Sequence, residues 1–321
     1  MPKRILVTGA AGFIGSHLCE HLIYQGYNVT GIDCFDDFYS RSLKEMNMAG
    51  FINNPAFEFI AGDAGEKSVL DKIRHKPEVV IHLAAKAGVQ PSLVSPGAYI
   101  KTNILLTNNI LEWMKEKGIS KMLFASSSSV YGNNKTIPFK EDQKTDNPIS
   151  PYAFTKKSCE LMNYTYHKLY NFDIINLRFF TVYGERQRPD LAIHKFVKKV
   201  LAGQPIYLYG DLKSSRDYTY WKDTINGISS ALSFILSREG IYEIINLGNN
   251  HPIELGKLVQ KIAEGTGIIP QIVYEDKKPG DVDITYADIS KANELLGYYP
   301  KYNLSAGLEN FIKWFKLMNK E

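Results

Sequence analysis

Tyr152 and Lys156 stand four residues apart in Ser150-Pro151-Tyr152-Ala153-Phe154-Thr155-Lys156. The surrounding pattern is helical, so the two side chains share one face. A phenol with an ordinary pKa of about 10 is a poor base at neutral pH. An ammonium beside it, together with the positive charge of an oxidised hydride acceptor, favours the phenolate and lowers that value. Tyr152 then removes a hydroxyl proton while hydride leaves the same carbon. A second group of hydroxyls, Ser126-Ser127-Ser128-Ser129, lies upstream and runs into Val130-Tyr131-Gly132. It follows a β-rich run directly, at the expected carboxyl end of a strand. Ser127 is read as hydrogen-bonding the reacting oxygen and relaying its proton. A serine cluster also commonly marks no more than a turn, and among 20 tyrosines one such Tyr–Lys spacing arises by chance. The elements around these residues therefore carry the weight.

A hydride needs an acceptor, and the first fifteen residues form a seat for one. Arg4-Ile5-Leu6-Val7-Thr8 is a short apolar run, followed by Gly9-Ala10-Ala11-Gly12-Phe13-Ile14-Gly15 and then a helical pattern with Leu18, Leu22 and Ile23. Strand, glycine turn and helix in this order cradle a dinucleotide pyrophosphate. Gly9 permits the turn, Gly12 lets backbone approach phosphate, and Gly15 lets the helix pack on the strand. Phe13 and Ile14 are counted with them as cofactor contacts. The spacing is GxxGxxG rather than the commoner GxGxxG, and its place after an opening strand gives it force. Asp33 closes the second predicted strand, eighteen residues after Gly15. A carboxylate there accepts from both ribose hydroxyls and repels a 2′-phosphate, which favours NAD over NADP. Asp63 is a candidate contact for the adenine amino group, and Ala84-Ala85 offer small side chains beside pyrophosphate or ribose. Asn103 is read either as a further contact or as a polar helix residue. Lys156 also reaches the nicotinamide ribose.

The elements that must hold these residues alternate. Strands are predicted at Ile5–Thr8, Asn28–Ile32, Phe57–Ala61, Val79–Leu83, Lys121–Ala125 and Asp173–Arg178. Helices are predicted between them, as at Gly15–Gln25, Ala98–Lys117 and Ala153–Tyr170. Such β-α alternation predicts an α/β fold, a doubly wound parallel Rossmann-type sheet with ligands beyond the strands' carboxyl ends. Beyond about Thr181 the texture changes, with helices predicted at Ile193–Leu201, Trp221–Leu236, Leu255–Gly265 and Leu304–Leu317. We expect an NAD-binding domain over 1–178, with about 218–245 returning to it. A smaller, mostly C-terminal α/β domain over 179–217 and 246–321 would bind the substrate. A chain of 321 residues accommodates both. The net charge of +4 is too small for a nucleic-acid footprint and suits an anionic small molecule. Cys19, Cys34 and Cys159 lack metal-ligand spacing, so no metal is expected, and they point to a reducing compartment. There is no signal region and no apolar run long enough to span a bilayer, so a cytoplasmic protein without membrane association is expected.

With these motifs the chain resembles the extended short-chain dehydrogenase/reductases, and within them the nucleotide-sugar 4-epimerases. The resemblance rests on the glycine motif, the serine run ending in Val-Tyr-Gly, and Ser150-Pro151-Tyr152 through Lys156. It continues through Ser215-Arg216-Asp217-Tyr218-Thr219-Tyr220, Asn246-Leu247-Gly248 and Pro279-Gly280-Asp281-Val282. It implies a tightly held NAD that is reduced and reoxidised within one turnover. A 4-keto sugar forms, rotates in the site and receives the hydride on its other face. The resemblance assigns Arg216 to the diphosphate of a UDP-sugar, a task for a guanidinium fork. It assigns Asp281 to the nucleotide end. The family often has arginine just before this Gly-Asp, where Lys277-Lys278 stand here, so the second phosphate cation is open. A homodimer built from two helices of each chain is implied, here Ala98–Lys117 and Ala153–Tyr170.

Related 4,6-dehydratases carry an Asp-Glu pair directly after the hydroxyl residue, and UDP-glucuronate decarboxylases carry Glu before Val-Tyr-Gly. Here these positions are Ser128 and Ser129, which leaves plain epimerisation and makes Ser128 a substrate contact. Arg178-Phe179-Phe180-Thr181, followed by Arg186-Gln187-Arg188-Pro189, looks like the UDP-glucuronate 4-epimerases. This resemblance sets Thr181 against the sugar hydroxyls and Arg188 against a C6 carboxylate. It makes Ala87-Gly88-Val89 the sugar loop, with Gly88 and Val89 as contacts. Gln90-Pro91 and Glu185 depart from the family pattern, which has a basic residue and Pro there. Oxidation of a glucuronate at C4 makes a β-keto acid prone to lose CO2, so Arg188 and the sugar loop are expected to hold the carboxylate in the ring plane. Arg188 as a surface or interdomain cation is the other reading. The alternatives kept are a 4-epimerase of UDP-glucose or UDP-N-acetylglucosamine, a 4-ketosugar reductase, and a non-catalytic dinucleotide sensor.

Overall fold

The computed structural model describes residues 2–210 and 212–319. Among these residues the strands are β1 (Arg4–Thr8), β2 (Asn28–Asp33), β3 (Phe57–Ala61), β4 (Val79–His82), β5 (Lys121–Ser127) and β6 (Asp173–Phe179). They continue with β7 (Thr181–Tyr183), β8 (Ile206–Tyr209), β9 (Ser215–Tyr220), β10 (Tyr242–Leu247), β11 (Pro252–Glu254) and β12 (Ile272–Glu275). Seven of them form one sheet in the order β10-β6-β5-β4-β1-β2-β3, and every pairing in it is parallel. Sheets of this kind bury both faces, and the strands read as near-continuous apolar runs for that reason. Along β1, Ile5 and Val7 face one core while Leu6 faces the other. The first core is closed by helices Phe13–Tyr24, Trp221–Leu236 and Ser290–Leu296, the second by Leu106–Glu116 and Pro151–Tyr170. Each fully buried Leu or Ile contributes about 1.5–3 kcal/mol over an exposed one. The strand order reverses between β1 and β4, so a crevice opens beyond their carboxyl ends.

A third core lies outside this sheet. β7, β9 and β11 form a three-stranded sheet and β8 pairs with β12. Helices Ala192–Leu201, Leu255–Thr266 and Leu304–Met318 close around Ile193, Leu208, Tyr220 and Phe311. Between these pieces the chain returns to the large sheet through Trp221–Leu236 and β10. Among the described residues no helix is long and apolar enough to cross a membrane.

Two local differences from the sequence expectation bear on the site. β5 runs on through Ser127, with Ser126 opposite Arg178 and Ser127 opposite Phe179 on β6. Half of the serine tetrad is therefore paired strand, and only Ser128–Tyr131 turn, as a short 3-10 helix. The expected single helix Ala98–Lys117 is three consecutive pieces, Pro96–Tyr99, a π-helical Ile100–Leu105 and Leu106–Glu116. Such π turns are frequent at functional sites, and this one carries the buried Asn103.

Candidate active site

A cavity of about 520 Å³ opens beyond the carboxyl ends of β1, β2, β4, β5 and β6 and is also lined by Arg216, Gly280, Asp281, Val282 and Thr285. That volume is in the range of small-molecule sites. Gly9, Gly12, Phe13, Ile14, Gly15, Asp33, Asp63, Ala84 and Ala85 line one end. Ser127, Ser128, Tyr152 and Lys156 line the middle, and Gly88, Val89, Thr181, Arg188, Arg216 and Asp281 line the other end.

At the first end Gly9 adopts φ +73° and its N–H donates to the Ile32 carbonyl at 2.8 Å. The helix begins at Phe13, with Gly12 as its N-cap. A Cβ on Gly15 would lie 2.0 Å from the Gly9 carbonyl oxygen, so Gly15 accommodates the turn itself rather than the strand behind it. Asp33 is buried, and its oxygens accept from the backbone N–H groups of Ala11 (3.0 Å) and Phe35 (2.8 Å). Burial nevertheless pushes its carboxyl pKa up, with those two bonds and Lys44 opposing. Asp63 is turned partly to its own loop, accepting from Gly65 N–H at 2.8 Å. Asn103 is absent from the cavity wall. Its amide clasps the Lys86 backbone at both N–H (2.8 Å) and C=O (3.0 Å) and donates to Thr155 Oγ1 at 2.9 Å. It thereby ties the loop after β4 to the helix that carries Tyr152.

That helix, Pro151–Tyr170, starts where Ser150 accepts from Ala153 N–H at 3.1 Å, with Pro151 in its first turn. One turn beyond Lys156, Glu160 is buried and takes two bonds from Arg178 of β6, at 2.8 and 2.9 Å, and one from Ser126 of β5 at 2.6 Å. The helix is thus keyed to the two strands that end at the site. Lys156 donates to the Ala125 carbonyl at 2.6 Å, and burial lowers its ammonium pKa to about 8. Burial pushes the Tyr152 phenol above its usual value, and the groups acting in the other direction are Ser127 and the Arg188 guanidinium. The phenol therefore needs charge brought by a ligand before it becomes a base at neutral pH.

At the sugar end Arg188 borders the cavity and pairs with Asp190. Glu185 points away from it, accepting from Tyr220 Oη (2.9 and 2.8 Å) and Trp221 Nε1 (2.8 Å). Arg216 Nη1 donates only to carbonyl oxygens, of Ser215 (2.9 Å) and Asp283 (3.3 Å), and no carboxylate offsets its charge among the described residues. Its strand is anchored by the neighbouring Asp217, fully buried, whose carboxylate accepts from the N–H groups of Asn249 (2.7 Å) and Ala287 (3.1 Å). Lys277 is paired with Asp283, and Lys278 lies 3.6 Å over the Tyr209 ring, so neither lines the cavity. Gln90 reaches across to the Pro279 carbonyl at 2.8 Å and Asp281 at 3.3 Å.

The family model described as GDP-mannose 4,6 dehydratase matches residues 6–311. The chain belongs to that family. A UDP-glucuronate 4-epimerase of Thermodesulfobacterium geofontis is 40% identical over 314 residues, which cover 97% of this chain and 95% of the relative. The structure of a UDP-glucuronic acid 4-epimerase from Bacillus cereus in complex with UDP-glucuronic acid and NAD matches with a TM-score of 0.93 at 38% identity. It covers 98% of this chain and 99% of that one. A UDP-glucose 4-epimerase of Thermotoga maritima, with UDP-glucose, matches at TM-score 0.89 and 32% identity, covering 99% and 100%.

Motif reading passed over several residues in the cavity wall and one behind it. Lys44 is buried, donates to the Asp36 carbonyl and lies 4.7 Å over the Tyr39 ring. Lys86 pairs with Asp36 at 2.7 Å, linking the loops after β2 and β4. The Tyr39 hydroxyl is buried beside the cavity without a partner among the described residues. Below the glycine turn His82, held neutral by burial, bonds Thr8 at 2.7 Å and Thr107 at 3.1 Å. The aromatic pair Phe38-Tyr39 behind three acids was the available signal for the first group. Nothing local marked Lys44 or His82.

Proposed function

We propose that the chain is a nucleotide-sugar 4-epimerase that uses NAD to convert UDP-glucuronate and UDP-galacturonate into each other through a 4-keto sugar. The observation that carries this reading is one cavity lined by the glycine turn, Tyr152 with Lys156, and two arginines at its far end. The turn fits a dinucleotide: any side chain at Gly15 would collide with the Gly9 backbone and force the turn open, and Asp33 stands at the strand end with its acceptors near the turn. NAD accepts the C4 hydride, returns it, and adds positive charge near the phenol in its oxidised form. Gly9, Gly12, Phe13, Ile14, Gly15, Asp33, Asp63, Ala84 and Ala85 hold it, and Lys156 orients its nicotinamide ribose. Tyr152 takes the C4 hydroxyl proton, Ser127 hydrogen-bonds the same oxygen, and Tyr152 gives the proton back after the sugar turns. Arg216 and Asp281 hold the nucleotide end. Ser128, Thr181, Gly88, Val89 and Arg188 bound the sugar. Ser128 and Ser129 offer neither the acid nor the base that dehydration would require.

The same reading assigns 1–178 and about 218–245 to NAD, and 179–217 with 246–321 to the nucleotide sugar. A homodimer is supported by Ile100 and Leu105 on the π-helical piece and by Phe154, Leu161 and Leu169 on Pro151–Tyr170, all apolar and exposed. Three unpaired thiols are consistent with a cytoplasmic site. A second reading, epimerisation of UDP-glucose or UDP-N-acetylglucosamine, draws support from the pairing of Arg188 with Asp190, which offsets the charge a uronate would seek. Incubation with UDP-glucuronate, UDP-glucose and UDP-N-acetylglucosamine without added NAD, followed by the sugar H4 couplings, separates the two. UDP-galacturonate is the expected product, and a neutral epimer alone overturns the first reading. Stoichiometric consumption of NADH would indicate a reductase, and protein without bound NAD or turnover a sensor.

A further inference from the structure

Arg188 meets the cavity with one edge already taken. Asp190 accepts from Nε at 2.9 Å and from Nη2 at 2.7 Å, a two-point pairing along one side of the guanidinium. The plane is held as well, since Cζ lies 5.0 Å over the Phe38 ring. Both partners are shielded, with side chains 17% and 29% exposed. The remaining N–H groups have no partner among the described residues. Nη2 lies 3.8 Å from where a Cβ on Gly88 would stand, so the guanidinium borders the sugar loop.

A guanidinium on a flexible chain pivots with whatever anion it binds. This one does not, because its first edge and one face are fixed before any ligand arrives. Resting on the epimerase reading above, we propose that Asp190 is a positioning residue that sets substrate outcome. It holds Arg188 so that a single edge of fixed plane receives the C6 carboxylate.

The chemical consequence concerns the 4-keto uronate. In its decarboxylation the C5–C6 bond breaks and CO2 leaves. The electron pair enters a C4–C5 enolate, and C5 then takes a proton. That bond breaks readily only when it lies along the π system of the C4 carbonyl, perpendicular to the carbonyl plane. A carboxylate docked on a fixed edge keeps C6 close to the ring plane and the bond out of alignment. A carboxylate on a pivoting arginine does not. Asp190 has an electrostatic role too, since its own charge repels the substrate carboxylate and limits how tightly Arg188 holds it.

The test uses the NAD-loaded protein and two variants, Asp190→Ala and Asp190→Asn, with UDP-glucuronate as substrate. Released CO2 and the UDP-pentose that follows decarboxylation are measured beside UDP-galacturonate, with kcat and KM determined separately. Asp190→Ala is expected to raise the CO2-releasing fraction at least tenfold. Asp190→Asn keeps the shape and part of the bonding. It is expected to leak less than the alanine variant and to lower KM for the uronate several-fold, because the repelling charge is gone. A merely structural role would lower kcat for both products together and leave their ratio unchanged. If wild-type protein epimerises UDP-glucuronate and both variants match it in product ratio and KM, the proposal is overturned while the epimerase reading stands. If wild-type protein converts only neutral UDP-sugars, the substrate reading falls and takes the proposal with it.

Discussion

Glu160→Gln isolates the anchor of the catalytic helix. Glu160 and Arg178 are each 1% exposed, joined through both prongs of the guanidinium, and Ser126 adds a third bond to the carboxylate. Glutamine preserves the shape and one acceptor but removes the charge, leaving the Arg178 guanidinium buried without a counterion. Removing one member of a buried pair costs about 3–5 kcal/mol, and the surviving acceptor favours the lower end. An unfolding entropy of about 2 cal/mol/K per residue over 321 residues amounts to roughly 0.7 kcal/mol/K. The expected fall in Tm is therefore about 4–7 °C, read by calorimetry at neutral pH with the NAD content of each sample matched. The double variant Glu160→Leu with Arg178→Met removes both charges, and apolar replacement of a buried pair is often neutral or stabilising. It should recover most of the loss. A Glu160→Gln protein melting within about 1 °C of wild type, or a double variant melting below the single one, would refute the account of this pair as an anchor.

Three further outcomes are expected. Burial lowers the Lys156 pKa from 10.5 to about 8, so between these values the unfolded chain binds the extra proton and this group's contribution to stability rises with pH. Lys156→Met should abolish epimerisation yet match or exceed wild-type stability at pH 7, and unfolding at pH 7 and pH 10 should show that advantage shrinking; an advantage independent of pH would contradict the assignment. Gly15→Ala puts a methyl group 2.0 Å from the Gly9 carbonyl oxygen, so the turn must shift, and NAD released on denaturing the purified protein should fall more than tenfold. Arg216→Met removes charge-assisted bonds worth about 1.5–3 kcal/mol, which predicts a KM for the UDP-sugar raised about 10- to 150-fold with NAD content unchanged.

The sequence by itself determined what depends on neighbours in the chain. Short, near-continuous apolar runs set the strands of the sheet, and apolar residues at a period of 3.6 set its helices. The bounds of β3 and of Trp221–Leu236 were legible to the residue, because turn residues and a single clear period flank each. Glycine spacing, an acid at a strand end and the Tyr152–Lys156 interval are likewise local, and they brought the candidate residues to one cavity. Tertiary structure alone decided direction, pairing and charge state. Asn103 turns to the Lys86 backbone, Glu185 turns to Tyr220 and Trp221, and Lys277 and Lys278 are spent on Asp283 and Tyr209. Each of those partners lies far from it in sequence or across a loop whose path no periodicity encodes. The Tyr152 phenol is raised by desolvation, which is a property of the packed surroundings, and a four-residue interval carries no information about it.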